Sequence, residues 1–98
     1  RDGVRIDLMD SAARPMFRAG TAELFPYGRT LVADVAQRLA GDGERIAVEG
    51  HTDASGGLSA ANWRLSGERA AAARDVMVSA GLPVGRIVAV TARASTEP

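Results

Sequence analysis

The 98-residue chain is long enough for one domain with one modest hydrophobic core, so we expect a single domain over residues 1–98. Its formal net charge is zero and only 4% of its residues are aromatic, which argues against a surface for nucleic acid or anionic lipid. The chain has no cysteine, which excludes disulfide bonds and thiol chemistry, and no apolar run approaches the ~18–20 residues of a membrane span.

Residues 3–10 alternate between apolar and polar side chains, which predicts a half-buried strand whose inward residues are Val4, Ile6 and Leu8. Residues 11–23 are typical of a loop because Pro15 and Gly20 interrupt them.

A first helix is predicted from Pro26, since proline is favoured in the first turn of a helix. Its apolar side chains recur at helical spacing and predict one buried face formed by Leu31, Val32, Val35 and Leu39. Gly41 has the residue type expected just after a helix end.

Residues 45–50 form a short apolar run that predicts a central second strand. A second helix is expected from about residue 59 or 62 to residue 80, where Gly81 and Pro83 end it. Residues 86–90 predict a third strand. The order β-α-β-α-β indicates an α/β fold.

The second helix is predicted to carry an arginine close to its buried face. Leu65, Ala72 and Val76 mark that face, and Arg69 lies at its edge. A charged side chain near a core requires a partner, and Asp53, at the end of the second strand, is the nearest candidate by topology. The residues alone leave two interpretations open: a structural ion pair, or a receptor whose carboxylate holds an amine while its guanidinium grips a carboxylate.

His51 is the single histidine, and Asp53 follows two residues later. This spacing suggests acid–base or metal chemistry, but one histidine without cysteine makes a poor metal site, and the chain has no nucleophile-elbow serine. We therefore expect no catalytic residue, no metal and no cofactor, and we interpret His51 as a strand-end residue bonded to backbone.

Two sequence motifs resemble those of the OmpA-like peptidoglycan-binding domains. One motif lies at the end of the second predicted strand, and the other lies at the start of the second predicted helix. The residues that match are Gly50, His51, Thr52, Asp53, Asn62, Leu65, Ser66, Arg69 and Ala70. Within this family the chain is most similar to MotB-type stator subunits of the flagellar motor. The less specific matches that indicate this are Trp63 and the segments 14–17, 26–29 and 81–90. The resemblance covers essentially the whole chain and implies an α+β sandwich with a mixed sheet, of which the family's last strand is missing here.

The resemblance also implies a ligand and residue roles. Domains of this kind bind the diaminopimelate of the peptidoglycan stem peptide and do not cleave it. Asp53 would then hold the amine and Arg69 the carboxylate, Asn62 would help to shape the pocket, and Thr52 and His51 would fix the loop. This implication favours the receptor over the ion pair.

The leading functional hypothesis is a periplasmic domain of an inner-membrane protein that anchors a flagellar stator to the cell wall. The resemblance implies peptidoglycan, a second copy of the chain and a membrane-embedded stator subunit as partners. The alternative is an outer-membrane anchor of the OmpA or Pal type. Two further alternatives are a cell-wall hydrolase that uses His51 and Asp53, and a purely structural dimerisation module.

Overall fold

The computed structural model describes residues 3–8, 15–41, 43–51 and 60–94. Its helices and strands follow the predicted order and are β1 (Val4–Leu8), α1 (Pro26–Leu39), β2 (Ile46–His51), α2 (Ala60–Ser79) and β3 (Ile87–Ala94). A short 3-10 turn, Val84–Arg86, leads into β3. The β-α-β-α-β prediction is confirmed, and Pro26 is the first residue of α1 as expected.

The three described strands form one sheet in the order β1-β2-β3, with both neighbouring pairs parallel. The predicted central position of β2 is confirmed, but the predicted mixed sheet is wrong for these strands. A helix precedes β2 and another precedes β3, and each carries the chain back across the sheet, so successive strands run in the same direction. The mixed sheet was implied by the family resemblance, and the described residues contain no antiparallel strand in this sheet.

One face of the sheet and both helices enclose a single hydrophobic core. The strands contribute Leu8, Ile46 and Val48, and the residue pairing places Ile6 beside Val48 on this same face. The remaining buried apolar residues come from the helices and loops and are Phe17, Leu24, Val32, Ala36, Ala70, Ala73, Val76, Met77 and Leu82. The result is a two-layer arrangement of helices on a sheet.

The buried line of α1 is displaced from the predicted one. Gly28, Val32 and Ala36 are buried, whereas Leu31 is 39% exposed. Gly28 permits the displacement because it has no side chain, so the helix can approach the backbone of Met16 closely. A Cβ atom at position 28 would lie only 2.7 Å from the Met16 carbonyl oxygen. The larger apolar side chains therefore flank the tightest contact of the helix rather than form it.

The buried line of α2 is displaced in the same way. Ser66 and Ala70 are fully buried, whereas Leu65 is only half-buried. Gly50 of β2 is the cause, since a Cβ atom added there would overlap the carbonyl oxygen of Ser66. Helix and strand approach this closely only because small residues face each other.

The C-termini of the two helices are capped in different ways. After α2, Gly81 has a φ of 115°, and the N–H of Leu82 bonds the carbonyl of Met77 in a Schellman motif, so the predicted end is confirmed. After α1, Gly41 is not left-handed. There the guanidinium of Arg86 donates to the carbonyl oxygens of three residues, Leu39 (2.8 Å), Ala40 (3.1 Å) and Glu44 (2.6 Å).

No helix in the described part of the chain combines the length and the apolar character needed to cross a bilayer.

Candidate functional site

Arg69 lies on the buried face of α2, and only 6% of its surface is exposed. Its neighbours along that face are small, namely Ser66, Ala70 and Ala73, and they allow α2 to pack closely on the sheet. A guanidinium held this deeply must be satisfied by nearby acceptors or by π-systems. The structure therefore supports the sequence-based inference that Arg69 faces inward.

Two residues of the loop before α1 hold the Arg69 guanidinium. Nε of Arg69 donates a hydrogen bond to the carbonyl oxygen of Thr21 at 2.8 Å. The guanidinium carbon lies 4.8 Å from the centroid of the Phe17 ring, and Phe17 itself is 2% exposed. This distance falls within the range of a cation–π contact, which is strengthened where water is excluded.

The loop over residues 17–24, which we call the cradle loop, is a small hairpin with bonds of its own. Phe17 and Leu24 form an isolated antiparallel bridge, and the N–H of Arg18 bonds the carbonyl of Glu23 at 2.8 Å. The Thr21 hydroxyl donates to the carbonyl of Arg18 and accepts from the N–H of Glu23, both at 3.0 Å. The Thr21 hydroxyl therefore bonds the backbone both before and after Thr21, and these bonds hold the carbonyl to which Arg69 donates.

His51 is the last residue of β2 and is 3% exposed. Its Nε2 atom lies 3.0 Å from Oδ1 of Asp7 in β1. Since an ionised carboxylate only accepts hydrogen bonds, Nε2 carries the proton in this contact. The predicted bond to backbone is thus replaced by a bond to a side chain, and among the described residues Nδ1 has no partner.

Glu49 extends this polar network across the sheet. It pairs with Asp7 in the strand register, and its carboxylate accepts from Arg93 of β3 at 3.0 Å and 3.5 Å. Only 8% of the Glu49 side chain is exposed, against 42% of the Arg93 side chain. Arg93 therefore supplies a cation to a carboxylate that is largely buried.

Asp7, Glu49 and His51 place possible metal ligands within 4.8 Å of one another. Their surroundings fit a metal ion poorly. A ligating histidine normally donates its other N–H to a partner, and Nδ1 of His51 has none among the described residues. Guanidinium groups from Arg93 and Arg5 already hold the two carboxylates. We interpret these groups as an ion-pair network.

Three of the predicted site residues lie on described elements, two of them on one helix and the third on the neighbouring strand. Asn62 lies in the first turn of α2 and is half-buried, and Arg69 follows two turns later on the same helix. His51 ends the strand against which α2 packs. Thr52 and Asp53 lie outside the described residues, so the pairing of Asp53 with Arg69 stays a prediction.

Sequence reasoning missed three contributors: Phe17, Thr21 and Asp7. Phe17 belongs to the segment 14–17, which resembles the family without an implied role, and Thr21 belongs to the predicted loop over residues 11–23. Asp7 alternates with the inward residues Ile6 and Leu8 of β1 and is exposed. Its contact with His51 depends on strand register, which the sequence does not specify by itself.

Comparison with known proteins places the fold and the site in context. The sequence profile of the OmpA family matches residues 16–98. Motility protein B of Escherichia coli K12 is 41% identical over 100 residues, which cover 98% of this chain and 32% of that protein. LafU of Escherichia coli O44:H18, whose name refers to flagellar export or assembly, is 36% identical over 94 residues, covering 94% of this chain and 31% of that protein. The chain therefore spans about a third of the length of these relatives.

Among solved structures, the cell wall anchor of the T6SS from Pseudomonas aeruginosa has a similar fold. The TM-score is 0.70 at 27% identity, over 85% of this chain and 59% of that one. Domains of the OmpA family bind peptidoglycan without cleaving it, which decides against the hydrolase hypothesis. The sequence profile, the homology to Motility protein B and the shared fold lead to one conclusion: the chain belongs to the OmpA family of peptidoglycan-binding domains.

Proposed function

We propose that the domain binds the diaminopimelate side chain of the peptidoglycan stem peptide through Arg69 and Asp53. The buried Arg69 guanidinium carries this proposal, because a cation kept this deep in the fold is suited to grip a carboxylate from a ligand. Asp53 supplies the negative charge for the ligand amine, and Asn62, in the first turn of the same helix, shapes the pocket between them. Thr52 and His51 fix the segment that leads to Asp53.

We assign the domain to the periplasm, as part of an inner-membrane protein that anchors a flagellar stator to the cell wall. The likeness to Motility protein B and to LafU supports this assignment. A homodimer and a membrane-embedded stator subunit are the partners that follow. Light scattering of the purified protein tests the dimer, and a monomeric mass at all concentrations would contradict it.

A second candidate is an anchor for a different cell-envelope assembly, including outer-membrane anchors of the OmpA or Pal type. The specific observation in its favour is the structural likeness to the T6SS cell wall anchor. Restoration of swimming in a bacterium that lacks its own stator anchor separates the two candidates. A full-length protein that binds the cell wall but restores no motility would favour the second.

Co-sedimentation with purified sacculi that contain diaminopimelate tests the binding site. We expect Asp53→Asn and Arg69→Lys to weaken binding roughly 10- to 100-fold, because each removes a charge-assisted contact to the ligand. Asp75→Asn and Arg64→Lys make the same chemical changes at exposed positions of α2 and serve as matched controls. Circular dichroism establishes that the variants are folded, and wild-type binding by both folded site variants would overturn the assignment.

A further inference from the structure

We propose that a cleft beside the cradle loop holds the terminal carboxylate of the stem peptide and that Arg29 is its cation. The cleft has a volume of about 250 Å³ and lies between residues 22–24 of the cradle loop, Arg29 of α1 and the second half of α2. None of these residues belongs to the two motifs at β2 and α2. The inference rests on the proposed function, because it needs a stem peptide bound beside α2, but its contacts do not involve the Arg69 guanidinium.

The cleft adjoins the proposed site along the cradle loop and along α2. The Thr21 carbonyl bonds Arg69, and the next three residues of the loop line the cleft. On α2, Ala72 and Val76 follow Arg69 by three and seven residues and therefore lie on the same side of the helix. Ala72 is only about 4.5 Å further along the helix axis, whereas one extended peptide residue spans about 3.3–3.6 Å. A peptide bound at the proposed site therefore has its next residue within reach of the cleft.

The cleft combines an apolar wall with an unpartnered cation. Leu24 and Val76 are 7% and 8% exposed, and with Ala72 they form a wall suited to a methyl group. The Arg29 side chain is exposed, and within the described part of the chain it makes no hydrogen bond or ion pair. A small apolar residue with a free carboxylate satisfies both features. The terminal alanine of an uncross-linked stem peptide is such a residue.

Two carboxylates at the cleft, those of Glu23 and Asp75, are each held by another arginine. Nε of Arg18 lies 2.8 Å from the Glu23 carboxylate, and Nη1 of Arg74 lies 3.0 Å from the Asp75 carboxylate. Among the described residues that line the cleft, Arg29 is therefore the charged side chain that is left for a ligand.

The size of the cleft limits what can occupy it. Its volume of about 250 Å³ is smaller than that of pockets that enclose a drug-sized ligand, which measure roughly 300–1,000 Å³. The cleft therefore suits one small residue of a chain that is held elsewhere, rather than a separate ligand.

Calorimetric titration with two soluble muropeptides tests the proposal. Both contain diaminopimelate followed by a terminal alanine, which carries a free carboxylate in one and an amide in the other. We expect the wild-type protein to prefer the acid by roughly 3- to 10-fold at low salt, the value of one exposed charge-assisted contact. Added salt should reduce this preference, because Arg29 is exposed. Arg29→Gln should bring the two affinities together and leave the affinity for the amide unchanged.

The same helix offers a matched control. Arg38→Gln makes the same chemical change at another exposed position of α1, where the guanidinium pairs with Asp34. This variant should keep the wild-type preference, and Arg29→Lys should retain part of it. A purely structural role for Arg29 would instead weaken the binding of acid and amide equally.

Ala72→Leu tests the apolar wall independently of charge. The larger side chain fills part of the cleft, so we expect the affinity for the muropeptide that ends in alanine to fall roughly 3- to 10-fold. The affinity for a muropeptide that ends at diaminopimelate should not change. Ala71→Leu, at the neighbouring exposed position, is the control and should alter neither affinity.

The outcomes are distinct. No binding of any muropeptide by the wild-type protein overturns the proposed function and this inference with it. Binding with equal affinity for acid and amide overturns only this inference. A wild-type preference in Arg29→Gln shows that another cation holds the carboxylate. If Ala72→Leu fails to fold, the exposed Arg29 and Arg38 variants decide the question alone.

Discussion

Gly50 of β2 lies directly against the backbone of Ser66 in α2, and no other residue type fits between them. A Cβ atom at position 50 would overlap the Ser66 carbonyl oxygen and lie 3.1 Å from the backbone nitrogen of Ala70. This contact sets the distance between α2 and the sheet. Arg69 sits between the two residues of α2 that Gly50 contacts, so the contact also sets the depth at which its guanidinium is held.

Gly50→Ala is expected to destabilise the protein by about 2–3 kcal/mol, because backbone atoms must move to admit the methyl group. Urea denaturation measures the loss. Gly41→Ala is the matched control, since nothing lies within 4 Å of a Cβ atom there and the backbone is not left-handed. Equal stability of the two variants would show that α2 can shift without cost.

Arg86→Ala is expected to lower the free energy of unfolding by about 2–3 kcal/mol. The substitution removes two charge-assisted bonds to carbonyls at the end of α1, where a cation is also favoured by the helix dipole, and a third to the carbonyl of Glu44. Arg86→Lys should recover only part of the loss, because one ammonium group cannot reach all three oxygens. Arg38→Ala, in the last turn of the same helix, removes an exposed pair with Asp34 and should cost under about 0.5 kcal/mol.

The neutral imidazole of His51 is expected to carry its proton on Nε2, because that atom donates to Asp7. Nitrogen-15 NMR of the ring distinguishes the two tautomers, and the single histidine makes the assignment unambiguous. Asp7→Ala should remove the tautomer preference. A proton on Nδ1 in the wild-type protein would contradict the contact with Asp7.

Arg93→Ala is expected to destabilise the protein by about 1–3 kcal/mol, since it leaves the buried carboxylate of Glu49 without its guanidinium partner. Denaturation should be measured in urea, because urea is uncharged and does not screen ion pairs as the salt guanidinium chloride does. Arg5→Ala, which removes a more exposed pair with Asp7 on the same sheet, should cost less than about 1 kcal/mol. An equal cost for both would mean that the burial of Glu49 carries no penalty.

Local signals in the sequence predicted the element order and several boundaries. Gly81 is an example: a glycine after a helix ends it through the conformation of one residue, and the structure has this conformation. Proline at position 26 is another, because its preference for a first helical turn depends on no distant partner.

The helix faces could not be predicted as well, because they depend on shape at the contact. Hydrophobic periodicity predicts that Leu31 and Leu65 face the core, yet the closest contacts of the two helices are made by Gly28 and Ser66. In the site, Arg69 was recognised from its position on α2, while the ring of Phe17 was not. Its contact joins segments far apart in the chain, and no spacing rule connects them.

The parallel sheet also has a consequence for how this chain acquires its structure. Val4 pairs with Ile46, and Ile46 pairs with Ile87, so each ladder closes a loop of about forty residues before any strand contact forms. Chains dominated by such distant pairings reach the native state more slowly than helical bundles of equal size. The bonds from Arg86 to Leu39 and Ala40 join residues similarly far apart, so they too can form only once the turn that leads into β3 has reached the end of α1. Synthesis must therefore proceed beyond residue 86 before the first helix acquires the contacts that close its final turn.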